Sequence, residues 1–211
     1  MRYHRVVTTA TAALTFDVDG TLYDTRRQRL RILPQTLRYP LVLSRFKETV
    51  EEMRGEKVTD FRAELARRLG AKVGVTDMKA RQVLNHVVFG AWPASFSERT
   101  PFAGVQSTLA SVTLPRAVVS DYDADEKLRR MGLDHGWTTV VSCERLGALK
   151  PLPDGLIAAA EAMGVEPSRI LHIGDRADTD EAMAKAVGAR CWLLGRDFRS
   201  WTELGRKLAA L

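Results

Sequence analysis

Short apolar runs recur along much of the chain, separated by longer stretches in which apolar residues have helical spacing. The runs are AALTF (12–16), RAVVS (116–120), TTVVS (138–142), ILHIG (170–174) and RCWLLG (190–195). Helices are predicted between them at roughly 104–112, 123–131, 153–163, 179–187 and 200–210. Unalternating short strands separated by helices are typical of a parallel sheet covered on both faces. The pattern predicts an α/β fold with a doubly wound, Rossmann-like parallel sheet.

The segment between the first two apolar runs has a helical pattern throughout. Helical spacing is found in LSRFKETVEEMRG, VTDFRAELARRLG and TDMKARQVLNHVVFGAW. We expect the second of these helices to stop at Gly70 and the third to begin at the capping residues Thr76 and Asp77. The pattern therefore predicts a helical cap, residues 24–98, inserted in an α/β core formed by residues 1–23 and 99–211.

The charge of the chain is unevenly distributed. The formal net charge is +6 over 211 residues, and residues 24–100 hold 16 Lys and Arg against 9 Asp and Glu. The basic excess therefore belongs to the predicted cap, either as a solvated helical surface or as a field that draws anionic substrates inward. Nucleic-acid binding is disfavoured because no recognised motif accompanies the charge.

The cysteines and the apolar runs indicate the compartment. Cys143 and Cys191 have no CxxC motif or Cys/His cluster near them, which argues against a disulfide scaffold and a zinc site and suits a reducing cytoplasm. No apolar run approaches the ~18 residues that a membrane span needs. The N-terminal MRYHRVVTTATAALTF faintly resembles a signal peptide but runs into the first strand, so we interpret it as part of the fold. We expect a cytoplasmic protein with no membrane partner; the oligomeric state is not indicated.

Polar side chains follow the predicted strands where each strand ends. They are Asp17 and Asp19, then Ser120 and Asp121, then Lys150, then Asp175, Asp178 and Asp180. Ligands in such folds bind at the carboxyl ends of the strands, so we expect these side chains to converge. Clustered carboxylates suit Mg²⁺, and a lysine and a hydroxyl suit the oxygens of a bound phosphoryl group. The residues alone predict metal-assisted phosphoryl transfer.

The sequence DVDG at residues 17–20 also resembles the start of a calcium-binding EF-hand loop. That loop needs a third acidic or amide ligand at its fifth position and a glutamate at its twelfth. Those positions here are Thr21 and Gln28, and the segment follows a predicted strand instead of a helix. We therefore exclude an EF-hand.

Four motifs together resemble those of the haloacid dehalogenase-like (HAD) hydrolases that carry a helical cap after the first strand. They are DVDGTL (17–22), AVVSD (117–121), LGALKPLP (146–153) and HIGDRADTD (172–180). The match covers nearly the whole chain in the order of the family. It implies a Mg²⁺-dependent phosphatase that hydrolyses a small phosphomonoester through an aspartyl-phosphate intermediate.

The resemblance implies roles for the acidic residues. Asp17 would be the nucleophile, and Asp19 the general acid for the leaving alkoxide and then the general base for the hydrolytic water. Asp17, the backbone carbonyl of Asp19 and the carboxylate of Asp175 would bind Mg²⁺. Asp180 would hydrogen-bond metal-bound water or the lysine of the third motif from a second layer.

The resemblance also implies how phosphate is bound. Ser120 would contact a phosphate oxygen, helped by the backbone N–H of Asp121. Lys150 would offset the negative charge of the nucleophile and the phosphate, which makes it both a catalytic and a phosphate-binding residue.

The choice among members of the family is less sharply defined. Asp19 speaks against a dehalogenase, which has no alkoxide to protonate, and hydrolysis is the default over phosphomutase chemistry. A binding protein that keeps the scaffold and uses its basic cap is a further alternative. Some of Arg26, Arg27 and Arg29, at the entry to the cap, are hypothesised to select a small anionic phosphomonoester.

Overall fold

The structure, a computed structural model, describes residues 10–211, and the predicted N-terminal segment before Ala10 lies outside the described residues. The strands are β1 (Ala13–Phe16), β2 (Arg116–Ser120), β3 (Thr139–Ser142), β4 (Ile170–Gly174) and β5 (Arg190–Leu193). They form one sheet in the order β3-β2-β1-β4-β5, and every neighbouring pair is parallel. The predicted α/β fold is confirmed, and each of the five apolar runs forms a strand.

Helices cover both faces of this sheet. They are α8 (Val105–Ser111), α9 (Asp125–Arg130), α10 (Asp154–Met163), α11 (Ala182–Ala186) and α12 (Trp201–Leu208). In β1, Leu14 and Phe16 pack with α8, α9 and α12, whereas Ala13 packs with α10 and α11. Burial on both faces explains why the strands are apolar without alternation.

The central position of β1 determines where a ligand can bind. β1 pairs with β2 on one side and with β4 on the other, so the chain order reverses at this strand. In open α/β sheets, ligands bind at the carboxyl ends of the strands beside such a reversal. The loop that begins at Asp17 therefore occupies the favoured position.

Seven further helices lie between β1 and α8. They are α1 (Thr25–Arg31), α2 (Leu33–Thr36), α3 (Pro40–Ser44), α4 (Phe46–Met53), α5 (Phe61–Val73), α6 (Asp77–His86) and α7 (Trp92–Ala94). A π-helical turn, Val87–Ala91, joins α6 to α7. These helices occupy the segment in which the cap is predicted, while the division of the chain into two domains at residues 24 and 98 stays a prediction.

The predicted end of α5 at Gly70 is wrong. The helix continues to Val73 and ends at Gly74, which has φ 71° and donates its N–H to the carbonyl of Gly70. Gly70 serves instead as a point of close approach, because a Cβ there would lie 2.9 Å from the carbonyl oxygen of Val75. The predicted cap of α6 is confirmed, since Thr76 Oγ1 accepts the N–H of Lys79 at 3.2 Å.

Between Ala10 and Leu211, no helix combines the length and the apolar character that crossing a membrane requires.

Candidate active site

The ends of the neighbouring strands β1 and β4 bring three of the predicted acidic residues together. Asp17 follows β1, and Asp175 follows β4, whose Ile173 is the register partner of Phe16. Asp180 lies in a π-helical turn, Ala177–Glu181, just after that strand. Carboxylate oxygens of Asp17, Asp175 and Asp180 all lie within 4.8 Å of one another.

Lys150 lies between two of these carboxylates. Its Nζ is 2.6 Å from Asp17 Oδ1 and 2.6 Å from Asp180 Oδ1, and all three side chains are buried. Asp180 also accepts the backbone N–H groups of Asp175 and Arg176, each at 3.1 Å. Asp180 therefore fixes both the lysine and the loop that carries Asp175.

The charges of this cluster do not balance. Burial, together with Asp180, Asp175 and Asp19, raises the pKa of Asp17 to about 8 against the opposing effect of Lys150. Burial and the neighbouring Asp180 raise the pKa of Asp175 to about 6. Burial opposes ionisation of Asp180 as well, but Lys150 and His172 hold its pKa below the usual range. Lys150 contacts two of the three clustered carboxylates, so the cluster favours a further cation.

The donor set fits Mg²⁺. Carboxylate oxygens are ligands that this ion prefers, and there is no thiolate or imidazole among the three clustered groups. The raised pKa values of Asp17 and Asp175 express the same excess of negative charge that a divalent cation would relieve.

Asp19 has its own cation, which the sequence-based prediction missed. Lys127 Nζ lies 2.9 and 2.7 Å from the two carboxylate oxygens of Asp19, and the Tyr23 hydroxyl donates to Oδ1. Burial alone would raise the pKa of Asp19, but Lys127 and Tyr23 lower it below the usual value. The two aspartates of the first motif are therefore held by different lysines.

A signal for Lys127 was present in the sequence. Ala124, Leu128 and Met131 have helical spacing and form the buried face of the segment around α9. Lys127 falls on the same face, and its side chain is only 2% exposed. A buried lysine on an apolar helix face needs a carboxylate partner, which here is the half-buried Asp19.

Ser120 and Asp121 lie at the end of β2, as predicted, but only the Asp121 side chain has hydrogen-bond partners among the described residues. Ser120 is fully buried, and among residues 10–211 its Oγ has no hydrogen-bond partner. The Asp121 carboxylate accepts the backbone N–H of Lys150 at 2.9 Å and pairs with Arg54 at 2.8 Å. Arg54, just after α4, also donates to the carbonyl of Lys150.

Gly20 is required by the close approach of two loops of the site. Its φ is 102°, and a Cβ at this position would overlap the carboxylate of Asp175. A side chain there would both strain the backbone and displace a candidate metal ligand.

A cavity of about 610 Å³ opens over these residues. Its floor is lined by Asp17, Asp19, Lys150 and Asp175. Its walls are lined by residues of α1, of α4 and of the π-helical turn Val87–Ala91. Of the three arginines hypothesised to select the substrate, Arg29 lines the cavity. Arg26 and Arg27 are not part of the lining, and Arg27 lies 3.6 Å from Asp24.

His172 is fully buried in β4. Its Nδ1 is 2.9 Å from Thr15 Oγ1, and its Nε2 is 3.2 Å from Asp180 Oδ1. Burial lowers its pKa, so the neutral ring supports Asp180 from behind.

Comparisons with known proteins agree with this architecture. The family model of haloacid dehalogenase-like hydrolases matches residues 11–188. The chain is 30% identical over 192 residues to a glyceraldehyde 3-phosphate phosphatase of Methanopyrus kandleri, which covers 83% of this chain and 80% of the relative. It is 28% identical over 211 residues to the 5-amino-6-(5-phospho-D-ribitylamino)uracil phosphatase YigB of Escherichia coli, covering 92% and 87%.

A solved structure shares the fold. The 2-haloacid dehalogenase of Pseudomonas syringae superposes with a TM-score of 0.66 and 24% identity, over 95% of this chain and 98% of that chain. The family match spans most of the chain and includes the strand ends at which the acidic cluster lies. The chain therefore belongs to the haloacid dehalogenase-like hydrolases.

Proposed function

We propose that the protein is a Mg²⁺-dependent phosphatase that hydrolyses a small phosphomonoester through an aspartyl-phosphate on Asp17. The observation that carries the proposal is the buried Asp17 carboxylate, which contacts Lys150 at the floor of a cavity large enough for a metabolite. The names of the two relatives that span most of the chain support phosphatase over dehalogenase chemistry.

In the first step, a carboxylate oxygen of Asp17 forms a bond to phosphorus while the ester P–O bond breaks. Asp19 gives a proton to the leaving alkoxide. Lys150, 2.6 Å from Asp17, offsets the negative charge that the nucleophile and the phosphoryl group bring together. Ser120 offers its unpartnered hydroxyl to a phosphate oxygen.

In the second step, a water molecule attacks phosphorus and releases the Asp17 carboxylate and inorganic phosphate. Asp19 accepts the proton of that water. The contact with Lys127 favours the carboxylate form of Asp19, which is the form that this step needs.

Asp17, Asp175 and the backbone carbonyl of Asp19 would hold the Mg²⁺, with Asp180 behind them. When bound, the ion supplies positive charge that lets an anionic phosphoryl group approach an anionic nucleophile. Asp180 keeps Lys150 and the Asp175 loop in place for that arrangement.

The relatives do not define the organic part of the substrate. The name of the first describes a ring-free triose phosphate, and that of the second a compound with a uracil ring. The substrate is therefore proposed only as a class, the small phosphomonoesters. The cytoplasmic location stays a prediction.

A phosphatase screen tests this function. We expect phosphate release from sugar phosphates, nucleotides or phosphoglycolate with Mg²⁺ and none after chelation with EDTA. Asp17→Asn should lower kcat by at least about a thousandfold, which corresponds to about 4 kcal/mol of barrier. An Asp17→Asn protein with undiminished activity contradicts the proposal.

A further inference from the structure

Three half-buried aromatic side chains line the cavity beside the catalytic cluster. Phe46 begins α4, Phe89 lies in the π-helical turn Val87–Ala91, and Tyr122 is the second residue after the end of β2. The Tyr122 ring centroid is 6.5 Å from that of Phe46 and 6.4 Å from that of Phe89. We call these three residues the aromatic wall.

Further contacts hold the rings of the wall in place. The ring of Phe61, which is buried, lies 6.2 Å from the ring of Tyr122. The guanidinium carbon of Arg62 lies 3.9 Å from the centroid of Phe89, and Glu144 holds that guanidinium through contacts of 2.6 and 3.1 Å. The rings are therefore fixed before a ligand arrives, which lowers the entropic cost of packing a ligand against them.

The wall lies close to the phosphate end of the site. Tyr122 is the residue after Asp121, whose carboxylate fixes the backbone of Lys150. The cavity of about 610 Å³ holds much more than a phosphoryl group, since pockets of roughly 300–1,000 Å³ take whole drug-sized ligands. A ligand with its phosphate at Asp17 has room for a second, larger group.

We propose that the substrate carries a flat, conjugated ring in its organic part, and that this ring packs against Phe46, Phe89 and Tyr122. The inference rests on the proposed function, because it takes Asp17 and Lys150 as the phosphate end. A polyhydroxylated chain would hydrogen-bond to few groups on the wall, whereas a flat ring gains contact area and favourable ring–ring geometry. Such stacking raises the affinity for the ligand roughly tenfold or more.

Two matched pairs of phosphate esters test the inference. Riboflavin 5′-phosphate and D-ribitol 5-phosphate share the same phosphorylated chain and differ in the large ring. Uridine 5′-monophosphate and ribose 5-phosphate differ in a small one. We expect kcat/KM with Mg²⁺ to be at least about tenfold higher for the ring-bearing member of one pair or both, mostly through KM.

Variants of the aromatic wall test whether the preference for ring-bearing esters depends on its side chains. Phe46→Leu/Phe89→Leu keeps an apolar surface but removes two flat rings, so the ratio of kcat/KM within the pair should fall about tenfold. The single Phe46→Leu protein serves if the double variant does not fold, with a smaller fall expected. Tyr39→Leu is the matched control, because Tyr39 is a half-buried cap aromatic that packs against His86 outside the cavity lining, and the ratio should not change.

The outcomes separate this inference from the proposed function. A kcat/KM ratio of the ring-bearing ester to its match that is near one or below in both pairs contradicts a ring-bearing substrate, even if every ester is hydrolysed. A ratio that survives in the leucine variants overturns the wall as its binding place. If no ester is hydrolysed, the proposed function fails, and calorimetric binding of the same pairs to the Asp17→Asn protein then decides the inference. Binding of the ring-bearing member no tighter than its match overturns it.

Discussion

Asp17 and Asp19 are two residues apart in the chain, yet their environments shift their ionisation in opposite directions. Burial and neighbouring carboxylates raise the pKa of Asp17, whereas Lys127 and Tyr23 lower the pKa of Asp19 despite its burial. Each carboxylate has a separate lysine, since Lys150 contacts Asp17 and Lys127 contacts Asp19. Two like charges at the end of a strand are tolerated because they do not share one environment.

Removal of Lys127 should therefore destabilise the protein. Lys127→Met leaves the Asp19 carboxylate partly buried without its cation, which should lower the free energy of unfolding by about 3 kcal/mol. Urea denaturation measures the loss. Lys79→Met, at an exposed position on α6, is the control and should stay within about 0.5 kcal/mol of the parent. An equally stable Lys127→Met protein would show that the pair contributes nothing.

A second test at residue scale uses the close approach at Gly20. Gly20→Ala should lower kcat about a hundredfold, because the added Cβ pushes the Asp175 carboxylate out of position. Gly55→Ala is the matched control, since Gly55 also has a positive φ, 84°, but no atom of residues 10–211 lies within 4 Å of its added Cβ. The control should lose stability and retain activity; equal activity of the two variants contradicts the steric argument.

At the scale of elements, the core could be predicted from the sequence more completely than the cap. A strand that is buried on both faces is a short apolar run, which can be recognised in the sequence without knowing its partner strand. The predicted ends of β2 and β4 therefore agree with the observed ends. Helix ends depend on what the chain meets afterwards. Gly70 resembled a stop signal, but the return of the chain at Val75 makes it a packing residue inside α5.

The site was predictable where a motif fixed the residue and the strand fixed its position. Asp17, Asp175 and Asp180 are brought together for that reason. The partners of Arg54 and Lys127 could not be predicted, because these contacts join residues 67 and 108 positions apart that only the folded chain brings together. The assigned roles of the site residues stay predictions.

The surface of α5 carries an ion-pair network whose effect should depend on pH. Glu64 pairs with Arg67 and Arg68 at 2.7 and 2.6 Å, and these contacts lower its pKa from 4.5 to about 2. Because the folded pKa is below the unfolded one, the network stabilises the protein above about pH 4.5. That stabilisation is lost as the pH falls towards 2.

Glu64→Gln should accordingly lower Tm by about 2 °C at pH 7, since partly exposed pairs contribute about 1 kcal/mol or less. The difference from the parent should shrink as the pH falls below 4.5 in a series of thermal scans. Glu161→Gln, an exposed glutamate on α10, is the control. A Tm difference that is the same at pH 7 and pH 3 contradicts the assigned pairing.

At the scale of the whole molecule, the site lies where helices of the inserted segment meet the sheet. Arg54, just after α4, pairs with Asp121 after β2, and Arg62 of α5 pairs with Glu144 after β3. Several arginines of the basic segment are therefore bound to carboxylates. The count of basic residues therefore overstates the number of arginine charges that have no carboxylate partner.

Metal binding should stabilise the whole fold. Mg²⁺ at about a hundred times its Kd adds about 2.7 kcal/mol, which should raise Tm by roughly 5–10 °C in a chain of this length. Asp175→Asn should remove most of this increase. Asp178→Asn is the control, because Asp178 pairs with Arg176 and does not belong to the acidic cluster. An unchanged Mg²⁺ effect in Asp175→Asn would place the ion elsewhere.

The central claim is that Asp17 forms a covalent bond to phosphorus. Acid quenching during turnover, followed by borohydride reduction, converts an aspartyl-phosphate into homoserine, which mass spectrometry locates in the peptide that contains residue 17. We expect homoserine at position 17 with substrate and Mg²⁺, and none without substrate or in Asp17→Asn. Steady phosphate release with no modification at Asp17 would contradict the account.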